Sequence, residues 1–84
     1  MNDALRAVAK RGDEIYRASY KAEYEKSYSG KFVAIDVRGG KAFLADTPED
    51  ALLTARASIP DGNFHLVQVG SPGVFRVAYS RSAT

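Results

Sequence analysis

The chain has 84 residues, 45% hydrophobic and 26% charged, with twelve Lys and Arg against ten Asp and Glu for a formal net charge of +2. These values exclude a disordered polar chain and leave room for one core, so a single domain over residues 1–84 is expected. The absence of cysteine excludes disulfides, thiolate metal sites and thiol nucleophiles.

No segment approaches the ~20 apolar residues of a membrane-spanning helix, and Asn2-Asp3-Ala4-Leu5-Arg6 has charges where an export signal needs an apolar stretch. A cytoplasmic protein with no membrane partner is expected. The fold class expected is α+β in the order α-β-β-α-β-β, with antiparallel hairpins forming a sheet. The elements are a long N-terminal helix (1–29), a hairpin (31–46), a short second helix (47–60), a second hairpin (63–80) and a polar tail (81–84).

Asn2 to Tyr28 is rich in Ala, Arg, Lys, Glu and Tyr and has no proline. Its apolar positions Leu5, Val8, Ile15, Tyr16, Ala18, Ser19 and Ala22 fall on one broad helical face. Gly12-Asp13 either splits this stretch in two, as a glycine end followed by an Asp cap, or costs about 1 kcal/mol within one helix; one helix with a weak point is the favoured reading. Ser29-Gly30 closes the helix, with Gly30 where a left-handed carboxyl cap belongs.

Lys31 to Val37 is rich in β-branched and aromatic residues, and Arg38-Gly39-Gly40-Lys41 supplies a turn around the two glycines. That turn sets Val37 opposite Ala42, Ile35 opposite Leu44 and Ala34 opposite Ala45. One face then carries Val33, Ile35, Val37, Ala42 and Leu44, and the other Phe32, Ala34, Phe43 and Ala45 beside Asp36. Since neither face alternates to polar, both are expected to be covered.

Thr47-Pro48-Glu49-Asp50 reads as a helix start, with Thr47 as cap, Pro48 in the first turn and acidic residues against the helix dipole. Ala51, Leu52, Ala55 and Ile59 form its apolar stripe, and Pro60-Asp61-Gly62 ends it. Phe64–Val69 and Val74–Ser80 are two strands around Gly70-Ser71-Pro72-Gly73, with Phe64, Leu66, Phe75, Val77 and Tyr79 on one face.

Gly30-Lys31-Phe32-Val33-Ala34-Ile35, Gly40-Lys41-Ala42-Phe43-Leu44-Ala45 and Thr47-Pro48-Glu49-Asp50-Ala51-Leu52 together resemble a family of small prokaryotic domains of unknown function. The resemblance covers about a third of the chain and implies a fold without implying catalytic residues. A fainter likeness, to the HicB-like antitoxins, rests on a hairpin strand followed by a capped, Glu-containing Ala-Leu helix. The acidic Gly-Gly-aromatic turn and the Pro-containing segment after the second strand of that group are absent here.

No catalytic, cofactor or metal-binding residues emerge. His65, the only histidine, has Ala78 across from it and Arg76 on the diagonal in the expected hairpin, which supply neither carboxylate nor nucleophile. A single histidine among scattered carboxylates lacks metal-ligand spacing. Gly39-Gly40 lies between strands and opens no phosphate loop, and Arg11-Gly12-Asp13 lies within a helix.

Tyr16, Tyr20, Tyr24 and Tyr28 recur every fourth residue, a row suited to the border of a helix-on-sheet contact or to a subunit interface. A helix over Asp3–Tyr28 would run about 39 Å, against about 20 Å for a six-residue strand, so half of it would overhang. The overhang and the two apolar sheet faces point to a homodimer, with Leu5, Val8, Tyr16, Tyr20 and Tyr24 as the candidate interface. The expected function is a non-enzymatic protein-protein interaction module with a protein partner still to be identified. The alternative is a nucleic-acid-binding or antitoxin-like regulator using Arg6, Lys10 and Arg11 and the acid-free segment after residue 61.

Overall fold

A computed structural model describes residues 3–70 and 76–80. They form an α+β arrangement of one long N-terminal helix, an antiparallel sheet and a short helix. The expected Gly70–Gly73 turn beyond its first residue, the start of the last strand at Val74 and Phe75, and the 81–84 tail lie outside the described residues.

The long helix consists of α1 (Asp3–Ile15), a π-helical turn over Tyr16–Tyr20, and α2 (Lys21–Ser27). Gly12 does not interrupt it. The irregularity comes later, where the Lys21 N–H donates to the Tyr16 carbonyl, one residue further back than in an α-helix. In a regular α-helix each step of four residues turns the side chain by about 40°, so Tyr24 would point about 80° away from Tyr16. The widened turn takes back much of that drift. Tyr16 is consequently buried and Tyr20 and Tyr24 are half-buried, while Ala18, Ser19 and Ala22 are exposed. The apolar face expected for an unbroken α-helix is corrected to Val8, Gly12, Tyr16, Tyr20 and Tyr24. The helix ends as expected, with Gly30 at φ 94°.

The sheet comprises β1 (Phe32–Asp36), β2 (Ala42–Ala45), β3 (Asn63–Gln68) and β4 (Arg76–Ser80), in the spatial order β2-β1-β3-β4. The first hairpin pairs Ile35 with Ala42, Ala34 with Phe43 and Val33 with Leu44. The expected pairing of Val37 with Ala42 is therefore shifted by two residues. Asp36 causes the shift by closing a longer loop: its carboxylate accepts from the Arg38 and Gly39 N–H groups at 3.1 and 2.9 Å. Its own N–H donates to the Lys41 carbonyl at 2.8 Å, and Gly40 takes the positive φ of 80°. A slip of two leaves every side chain on the face read from the sequence, because the strand period is two.

Both faces are covered by helices of the same chain. On one, Val33, Ile35, Val67 and Val69 pack with Tyr16, bordered by Ile15, Tyr20, Tyr24, Ala42 and Leu44. On the other, Ala34, Phe64 and Leu66 pack with Ala51 and Ala55 of α3 (Pro48–Ser58), bordered by Phe32, Phe43 and Leu52. The start of α3 follows its sequence signal: Thr47 Oγ1 accepts from the Asp50 N–H at 3.1 Å, with Pro48 at the first helical position.

The long helix lies across the strands instead of along them. α1 packs on β3 and β4, while Tyr20 and Tyr24 border the cluster around Val33 and Ile35 and the Tyr20 hydroxyl reaches Gly40 of the β1–β2 loop. The N-terminal half of the helix therefore does not overhang the sheet. Gly12 shows how close the crossing is, since a Cβ there would overlap the Cβ of His65 on β3 and stand 2.6 Å from its Cγ. Glycine at this point admits the helix onto the sheet; it is a packing residue.

Candidate interaction surface

The candidate interface residues divide between core and border. Val8 is 7% exposed and Tyr16 2% exposed, both buried against the chain's own sheet. Neither can face a second subunit while the helix stays docked. The Leu5 side chain lies outside the described residues.

Tyr20 donates its hydroxyl to the Gly40 carbonyl at 2.6 Å, tying the π-helical turn to the β1–β2 loop. Its ring stands 5.3 Å from that of Tyr24, which meets Tyr28 edge-on at 5.5 Å. Burial, reinforced by Tyr20, Glu23 and Tyr28, pushes the Tyr24 hydroxyl above its ordinary value of 10.0. The row is a packed seam whose far end, Tyr28, reaches solvent.

His65 is fully buried on β3, between Ile35 of β1 and Ala78 of β4 and beneath Gly12. That position sets it as a wedge between helix and sheet. Among the described residues no group of three or more His, Asp or Glu is placed to hold a metal ion. No described helix is long and apolar enough to cross a membrane. Arg6, Lys10 and Arg11 are exposed on α1, and Arg11 stands 3.9 Å from Glu14.

The sheet ends in two edge strands, β2 and β4; the outer edge of β2 is the one formed by residues whose side chains are described. The bond between the Asp36 N–H and the Lys41 carbonyl fixes which β2 residues turn toward β1. Antiparallel alternation then makes Phe43 and Ala45 the bonded partners of Ala34 and Phe32. The N–H and C=O groups of Ala42 and Leu44 point the other way, to an edge where no described strand pairs. Ala42-Phe43-Leu44-Ala45 has no charge, proline or bulge to guard an open edge, and its only guard is its length of 4 residues. The strand is flanked by Lys41 at one end and Asp46 at the other, the latter in an exposed ion pair with Lys31.

Sequence reading identified this strand but not its edge position. Its one legible sign was the missing guards. Comparison with protein-family models, curated proteins and solved structures finds no match.

Proposed function

We propose that the protein is a non-enzymatic protein-protein interaction module that works as a homodimer. One observation carries the reading: both sheet faces are occupied by the chain's own helices, while β2 presents an open edge free of charge and proline, with two residues' worth of outward backbone groups. Such an edge is a template for another strand, with main-chain bonds supplying affinity. The apolar faces, covered by helices of the same chain, offer no surface to a second copy.

Light scattering over a range of concentrations tests the reading. A mass twice that of the chain is expected, and a monomer at every concentration refutes the homodimer. A second reading, a nucleic-acid-binding or antitoxin-like regulator, draws on the exposed Arg6, Lys10 and Arg11. Recording absorbance at low and high salt in the same experiment separates the two, because phosphate contacts would make co-purified nucleic acid release steeply with salt.

A further inference from the structure

Resting on the homodimer reading above, we infer that two copies join edge to edge through β2, antiparallel, about a two-fold axis at Phe43. Each copy extends the other's sheet.

The register follows from backbone geometry. A two-fold axis perpendicular to the sheet keeps the same face upward in both copies, so residues that meet across the new ladder must share a face. The outward groups of one strand must also meet outward groups of the other, and within β2 these belong to Ala42 and Leu44. An axis at Phe43 sets Ala42 against the partner's Leu44 and Leu44 against the partner's Ala42, satisfying every outward group of both strands. An axis at Ala42 or Leu44 would instead pair one of these residues with Gly40 or Asp46, outside the strand.

Charge selects the same occupant. Lys41 precedes the strand and Asp46, which already pairs with Lys31 of its own chain, follows it, so an antiparallel copy brings Lys41 of each strand beside the carboxylate end of the other. A parallel copy would set like ends together. Lys41 falls opposite the partner's Ala45, next to the partner's Asp46, and no like charges stand opposed. The edge is thus its own complement in both hydrogen bonding and charge, which marks a second copy of this chain as the partner. Phe43 meets the partner's Phe43 on the α3 side, where it already stands 6.4 Å edge-on from Phe64.

Two variants test the interface. Ala42→Pro removes an outward donor while leaving the β1–β2 bonds intact, because the lost N–H faces the open edge. Light scattering is expected to show its dimer dissociating at least tenfold more readily than that of the unmodified chain, with an unchanged far-ultraviolet circular dichroism spectrum.

Phe43→Cys places the chain's only thiol on the axis. Opposed non-bonded residues have Cα atoms about 4.5 Å apart, within disulfide range. Mild oxidation is expected to give a covalent dimer quickly, whereas Lys41→Cys, about 14 Å from its mate, does not cross-link.

An unmodified chain that is dimeric, with Phe43→Cys linking no faster than Lys41→Cys, overturns the β2 interface and leaves the homodimer standing. A folded Ala42→Pro variant as tightly dimeric as the unmodified chain does the same. If Ala42→Pro fails to fold, the cross-linking comparison decides. A monomeric unmodified chain removes the homodimer itself.

Discussion

Replacing Gly12 with alanine should destabilise the protein, although helix propensity alone predicts the opposite. In an exposed helix interior the change gains about 1 kcal/mol. Here the new methyl would overlap His65 Cβ and come within 2.6 Å of Cγ and 3.0 Å of Cδ2, inside the ~3.5 Å that two carbons need. No rotamer relieves the first overlap, because both Cβ atoms are fixed by backbone. The backbone of His65 lies in an inner strand, held between Ile35 and Ala78, so the strand cannot retreat. The helix must rise by about 1 Å, parting Val8 and Tyr16 from the sheet. Overpacking of this kind costs about 1–3 kcal/mol and occasionally more, and with no relieving rotamer the upper end applies, leaving a net loss of about 2 kcal/mol after the propensity gain. For a domain of this size that lowers the thermal midpoint by roughly 10 °C. Circular dichroism at 222 nm during thermal and urea unfolding reads it directly. A rise of a few degrees would refute the wedge and return Gly12 to the status of a weak point. The pair can also be tested in a double-mutant cycle: His65→Gly should reverse more of the Gly12→Ala penalty than His65→Ala, which removes the Cγ and Cδ2 overlaps but keeps the closest one, at Cβ.

Tyr20→Phe removes the bond to the Gly40 carbonyl and should cost about 1 kcal/mol by urea unfolding, with faster amide exchange confined to the β1–β2 loop. Thr47→Ala removes the cap of α3 and should also cost about 1 kcal/mol, whereas Thr47→Asp should be close to neutral. Since burial raises the Tyr24 hydroxyl above its unfolded value of 10.0, the folded state holds that proton more tightly. Its contribution to stability is complete below pH 10 and is lost as pH rises through the folded value. Unfolding measured across that range should therefore show stability falling with pH, and Tyr24→Phe should flatten the slope; an unchanged slope refutes the assignment.

The local signals in the chain proved reliable where the cause was itself local. Thr47-Pro48-Glu49-Asp50 starts a helix because the capping oxygen, the fixed φ and the acidic first turn act within four residues. Gly30 ends one because only a residue without a side chain takes positive φ readily. The division of Val33 and Ile35 from Phe32 and Ala34 followed from the period of two, and it survived a register error because that error was even.

The hairpin register was decided locally, by two turn signals in competition: the Asp36 carboxylate accepting from Arg38 and Gly39 prevailed over a two-residue glycine turn. What else the sequence left open depended on residues far apart in the chain. The π-helical turn lies where one more residue brings Tyr20 and Tyr24 against the cluster around Val33 and Ile35, which no helical periodicity anticipates. Gly12 and His65 each looked like an isolated oddity, a helix breaker and a lone histidine, until the fold stacked one on the other. The open edge at β2 arises because β1 pairs with β3 on its other side, and strand order is set by long-range pairing. Composition and spacing along the chain determine which segments form strands and which faces they bury; only packing in three dimensions decides which strands are left at the edges.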